Sequence, residues 1–179
     1  MQPLGPTEVV RARSARALGA TMVGVAALGV GSTLLAGSDA VTTYAAPLAL
    51  FGLLGWAGFW RARVEVSDGG VRVVNTLRTL EVPWPALESV EGRYGLRLVT
   101  AYGPVQAWAA PALSGTQRAR GDQGPAAVLV QGRLDALREA GFLDGARLER
   151  PDLRRSWHPG TLAGVVVLAL ASVLLPLVG

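Results

Sequence analysis

Three stretches of this chain lack any charged side chain. They are ALGATMVGVAALGVGSTLLAGS (Ala17–Ser38), VTTYAAPLALFGLLGWAGFW (Val41–Trp60) and PGTLAGVVVLALASVLLPLVG (Pro159–Gly179). Each is about 20 residues, enough for a helix to cross roughly 30 Å of hydrocarbon. The pattern predicts helices over about 17–37 and 41–60, joined as a tight hairpin around Asp39, and a third over 159–179. The second uncharged run follows too closely for the first to be a cleaved leader. Pro47 lies inside the second run and is expected to disturb it.

Between the second and third runs the pattern changes to a period of two. Val64 and Val66 alternate with Arg63, Glu65 and Ser67; Val71 and Val73 flank Arg72; Leu80 and Val82 alternate with Thr79 and Glu81. Turn residues separate these runs: Asp68-Gly69-Gly70 first, then Asn75-Thr76. After Pro83-Trp84-Pro85 come Leu87 and Val90, then Leu96 and Leu98, then Val105–Ala109. Six short strands within about 63–110 predict an antiparallel meander closing as a sandwich or barrel. The two prolines forbid ladder pairing at the corner, and Trp84 and Leu87 are expected to turn into the core. A polar, Gly-rich loop, Ser114–Gly124, precedes a helix expected over about 125–140. Pro125 suits its first turn and Gly141 its C′ position. Ala127, Val130, Leu134 and Leu137 form its apolar stripe, with Gln131, Arg133, Asp135 and Arg138 towards water.

Arginine position orients the helices. Arg11, Arg13 and Arg16 precede the first, Arg61 and Arg63 follow the second, and Arg150, Arg154 and Arg155 precede the third; the hairpin tip carries only Asp39. The expectation is a multi-pass cell-membrane protein with its N-terminus and middle domain cytoplasmic and its C-terminus outside. Trp56, Trp60 and Trp157 sit near helix ends, as interfacial anchors do. No ionisable group lies within the spans, which argues against a pump or coupled transporter. Ala20/Gly24, Ala27/Gly31 and Gly160/Gly164 are small-xxx-small pairs suited to helix packing or an oligomer.

Composition narrows the chemistry. The chain has 179 residues, a mean hydropathy of +0.35 and a net charge of +4. All 17 basic residues are Arg, which beside abundant Ala, Gly and Pro reflects GC-rich coding more than a nucleic-acid partner. Cysteine is absent, which removes disulfides, thiolate nucleophiles and Cys-based zinc sites. The single histidine, His158, has only Ser156 as a nearby nucleophile, too close in sequence for a triad. Glu88/Glu91 and Asp135/Glu139 read as solvated pairs rather than an acid/base couple. Without Lys there is no phosphate-binding P-loop. No catalytic, cofactor or metal residue is assigned.

A sheet meander followed by one helix is the layout of a pleckstrin-homology (PH) domain. The hairpin followed by VEVSDGGVRVVNTLRTLEVPWPALESV resembles the bacterial PH domains of small membrane proteins, of the low-molecular-weight protein antigen 6 type. Asp68, Gly70, Val71, Asn75, Arg78, Val82, Pro83, Trp84 and Leu87 carry the resemblance, which covers about residues 20–110. It implies an α+β membrane protein: an N-terminal segment (1–16), a transmembrane hairpin (17–60), a PH-like sandwich or barrel with its helix (61–145), a basic juxtamembrane linker (146–158) and the third transmembrane helix (159–179). Trp84, Pro83, Asp68 and Gly70 are its fold markers. PH folds have seven strands and six are read here, so either the seventh lies in residues 105–114 or the domain is incomplete. Taking Ser67–Gly70 as the equivalent of the headgroup-binding loop of lipid-binding PH domains, its acidity and shortness argue against headgroup recognition of that kind. Arg61, Arg63, Arg154 and Arg155 are the candidate membrane-surface contacts. The expected role is non-enzymatic: a PH-like module held at the membrane for protein or peptide interaction. Its partners would be lipids and an unidentified membrane or cytoplasmic protein, not nucleic acid. Anionic-lipid sensing or envelope organisation is the alternative.

Overall fold

The computed structural model describes residues 7–108, 110, 114–120, 122–143 and 152–178. The chain is α+β and divides into two units, one of residues 1–12 and 62–156, the other of residues 13–61 and 157–179.

The first unit is built on two antiparallel sheets. Strands β1 (Glu8–Val10), β2 (Arg63–Ser67), β3 (Gly70–Val74) and β4 (Arg78–Pro83) pair in chain order, and β8 (Arg154–Trp157) lies beyond β4. The second sheet is the meander β5 (Leu87–Glu91), β6 (Leu96–Thr100) and β7 (Gly103–Ala107). Alternation decides which face is buried. Val64, Val66, Val71, Val73, Leu80 and Val82 fill the interior with Leu87, Leu96, Leu98 and Val105 of the second sheet. On the outer face, Glu65 pairs opposite Arg72 and Arg72 opposite Glu81. Ion pairs cross the three strands there: Arg72 Nη1 to Glu65 at 3.5 Å and Arg72 Nε to Glu81 at 3.4 Å.

The described residues of 105–114 hold no seventh strand. That stretch completes β7 at Ala107, and its described remainder holds no further strand. The additional strands are β1, upstream of the first long helix, and β8, immediately before the last. Thus β1–β4 and β5–β7 make up seven strands, and the connection between the first and second is the helical hairpin of residues 11–62. Ser67–Gly70, read from sequence as the first loop, joins the second strand to the third, so its acidity says nothing about the first connection.

Helix α5 (Pro125–Glu139) packs on β5 and β6. It buries Ala126, Ala127, Val130 and Leu134, with Leu137 partly buried against the same core. Two of its polar residues are more than solvated. Arg133 forms an ion pair with Asp68 in the β2–β3 turn, and Arg138 donates to the Glu88 carbonyl at 2.9 Å. A short helix, α4 (Gly115–Ala119), falls within the stretch read as a loop.

The second unit is helical. Its three long helices are α1 (Arg13–Ala36), a continuous helix over Ser38–Trp60, and α6 (Pro159–Val178). Each is long and apolar enough to cross a membrane. The middle one comprises α2 (Ser38–Ala40), a π turn (Val41–Ala45), α3 (Ala46–Gly55) and a second π turn (Trp56–Trp60). Pro47 explains the first π turn. It has no N–H to donate backwards and its ring crowds the preceding turn, so that turn widens.

Candidate functional site

The start of α5 shapes a concave feature of the first unit. The Gly124 N–H donates to the Gly92 carbonyl at 3.3 Å, seating the helix on the β5–β6 turn. A Cβ on Gly92 would lie 2.5 Å from the Cβ of Ala127, so only glycine permits this approach. Gly95, in the same turn, has φ +96°. Between this turn, the end of β1 and the first turn of α5 lies a shallow cleft lined by Val10, Leu96, Ala110, Ala126 and Ala127, with Arg11 as its charged member. Its walls are aliphatic carbon and glycine backbone. Such a surface suits an aliphatic or aromatic group and offers no acid/base pair.

The structure distributes the four candidate arginines differently. Arg61 caps the second long helix. It donates to Thr161 Oγ1 at 3.2 Å and its guanidinium lies 5.7 Å from the Trp56 ring centroid. Arg16 stacks likewise on Trp60, at 5.2 Å. These contacts gather the start of α1, the end of the middle helix and the start of α6 at one end of the helical unit. Arg63 is bonded to Glu65 beside it on β2, so its charge is largely compensated. Arg154 and Arg155 are exposed on β8.

The fold markers have structural work. Trp84 is 3% exposed, and its Nε1–H donates to the Ser67 carbonyl at 2.9 Å. It opens a 3-10 turn, Trp84–Ala86, directly after Pro83. Pro83, expected from sequence to lie beyond the ladder, is instead the last residue of β4, opposite Gly70. Gly70 has φ +149°, and a Cβ there would sit 2.3 Å from the Val82 carbonyl oxygen. Asp68 holds Arg133 as described. Asn75, buried in the β3–β4 turn, joins the two sheets. Its Nδ2 donates to the Gln106 carbonyl at 2.8 Å, and its Oδ1 accepts from the Trp108 N–H at 2.9 Å.

Small residues do bring the helices close, but mostly not the pairs read from sequence. Gly19, Ala26 and Thr33 form the buried stripe of α1. A Cβ on Gly55 would lie 2.6 Å from the Met22 Cβ, and one on Gly52 would lie 2.8 Å from the Ala26 Cβ. Gly164 abuts Leu53, whereas Gly24, Gly31 and Gly160 have open space where a Cβ would stand. Among the described residues, no group of three His, Cys, Asp or Glu is arranged to hold a metal.

Two antiparallel sheets enclosing one core, with a single helix packed on the second, define a PH-like module. Residues 61–173 match the bacterial PH domain family, and the chain belongs to that family. The match extends beyond the module into α6. No curated protein and no solved structure matches the chain.

Proposed function

We propose that this is a multi-pass membrane protein that presents its PH-like module at the cytoplasmic face for interaction with a protein or peptide, and that it is not an enzyme. The observation that carries the reading is the way the module is assembled. It draws on chain from before the first long helix and from between the second and third, so three chain connections tie it to the apolar helices. Arg13, Arg16 and Arg61 lie at the helix ends through which the chain enters the module, and Asp39 lies at the hairpin tip. That distribution supports a cytoplasmic module by the positive-inside rule. The aliphatic cleft has a chemistry that favours an apolar side chain over a phosphate.

Single cysteines at Ser38 and Ser114, in a chain with none of its own, test the topology. An impermeant thiol reagent added to intact cells should label position 38 and not 114; the opposite result reverses the orientation. A photo-crosslinker at Ala110, beside the cleft, should capture a discrete protein in membranes, while one at Glu81 on the outer sheet face should not. Equal capture from both positions would remove the cleft as the interaction site.

Exposed Arg154 and Arg155, just before α6, favour a second reading, in which the module senses anionic lipid. Reconstitution of the full chain into neutral and anionic vesicles separates the two. Hydrogen exchange in β8 that slows with anionic lipid, and recovers in high salt, supports lipid sensing.

A further inference from the structure

Tyr94 and Trp108, both exposed, lie at one end of the PH-like module, and the register shows which end it is. Val10 pairs with Val64, Val64 with Val73, and Val73 with Leu80. One step further along this row the chain leaves β1 at Arg11 and enters β2 from Ala62. This is therefore the end from which the chain runs into α1 and emerges from the middle helix. The other end carries the Asp68–Gly69 turn and the Trp84 corner.

The second sheet contributes to the same end. Asn75, in the β3–β4 turn there, holds the Gln106 carbonyl and the Trp108 N–H. Leu96 pairs with Ala107, which brings Gly95 beside Ala110, and both line the cleft with Val10, Arg11 and Ala12. Trp108 is 72% exposed and Tyr94 is 66% exposed. Arg93 stacks over Tyr94 at 5.7 Å, and Arg11 is also exposed.

We propose that Tyr94 and Trp108, flanked by Arg11 and Arg93, form an interfacial anchor that seats this end of the module in the headgroup region of the bilayer. The inference rests on the membrane-spanning reading of the three helices. Tyr and Trp favour this zone because an apolar ring and a polar edge are both satisfied there. Arginine beside them gains from anionic headgroups. The chain connections at residues 11–13 and 60–62 leave this end only a few residues of chain from the helices. The anchor also gives the cleft a direction. The cleft, lined in part by Val10–Ala12 and Ala110, then lies at interface depth, and its occupant arrives along the membrane plane.

The purified full chain, carrying single spin-labelled cysteines, is reconstituted in mixed phosphatidylcholine–phosphatidylglycerol vesicles. Collision with oxygen, which partitions into lipid, is compared with collision with a water-soluble nickel chelate. Tyr94→Cys and Trp108→Cys each leave the other aromatic in place, Leu28→Cys in α1 reports the bilayer core, and Tyr102→Cys in the β6–β7 turn reports the far end of the module. The expected order of oxygen-to-nickel ratio is position 28 highest, 94 and 108 intermediate and severalfold above 102, and 102 lowest. Positions 94 and 108 as aqueous as 102, with 28 deep, overturn the anchor and leave the spanning reading intact. An aqueous position 28 overturns the spanning reading itself, and the anchor with it.

Discussion

Trp84→Ala tests whether the proline-framed corner is a structural keystone. The ring is 3% exposed and donates to the Ser67 carbonyl at 2.9 Å. A buried tryptophan removes on the order of 200 Å² from water, which at about 25 cal/mol per Å² is ~5 kcal/mol as an upper limit. Cavity-forming Trp→Ala changes in cores cost about 3–5 kcal/mol. Within that sum, the orphaned Ser67 carbonyl accounts for about 1 kcal/mol or somewhat more. The assay is amide hydrogen exchange on the full chain in detergent, followed at the slowest amides of β3 and β4. A loss of that size speeds their exchange by about a hundredfold to a few thousandfold. Trp84→Phe keeps most of the ring but not the donor, and should cost only about 1 kcal/mol, near fivefold. If Trp84→Ala accelerates exchange by less than about tenfold, the loss is under ~1.4 kcal/mol. The corner would then not be the keystone argued here.

Gly70→Ala should destabilise the module by about 1–3 kcal/mol or more, because φ +149° strains any Cβ and the Val82 carbonyl oxygen lies 2.3 Å from its position; thermal melts of wild type and variant check this. For Asp68 and Arg133, a double-mutant cycle with Asp68→Asn and Arg133→Gln should give a coupling of about 0.5–1 kcal/mol that shrinks in high salt, since the arginine is substantially exposed. Asn75→Ala should cost about 1–3 kcal/mol by leaving the Gln106 carbonyl and the Trp108 N–H without their bonds. Asn75→Asp should be no better by the same melts, because it sets a carboxylate oxygen against the Gln106 carbonyl.

The parts of the fold readable from sequence are those in which burial imposes a period. Strands β2 to β4 show the alternation over Arg63–Ser67, Val71–Val73 and Leu80–Val82 because one face there meets the core and the other meets water, and the stripe of α5 is visible for the same reason. The unread strands lack such a pattern. β1 is three residues long, EVV, directly before the arginines that lead into α1. β8 reads RRSW, is exposed throughout, and has no apolar face to signal. Both are outer strands of their sheet, held by backbone bonds that leave no side-chain signature. The cleft was invisible for a related reason. Gly92 and Gly95 come from one turn, Ala110 and Ala126 from two other segments, and small residues acquire meaning only once a neighbour's approach shows why nothing larger fits. The Arg-aromatic stacks at the helix ends were partly foreseen, since the tryptophans marked the ends but not their cation partners. Glycine spacing in α1 misled as to which face packs. Gly24 and Gly31 satisfy the motif, yet Gly19 and Ala26 face the middle helix, and Thr33 is buried on the same stripe.

The placement of β1 raises an energetic question that the hairpin answers. Its partner β2 follows after residues 11–62, and closing a flexible loop of that length costs roughly 3–4 kcal/mol or more. Three residues of ladder, at about 1 kcal/mol net per hydrogen bond, would barely offset it. The connection is not flexible, however. α1 and the middle helix pack closely, with Gly55 against Met22 and Gly52 against Ala26. At their open end Arg16 lies over the Trp60 ring, and Gly19 approaches the Trp60 backbone so closely that a Cβ would be 3.0 Å from its nitrogen. Residues 16–19 and 60 are therefore already neighbours once the helices pair. From there only a few residues on each side lead to β1 and β2, and the pairing becomes nearly local. The first strand of this PH-like module can be as short as three residues because helix packing, not the sheet, brings its ends together.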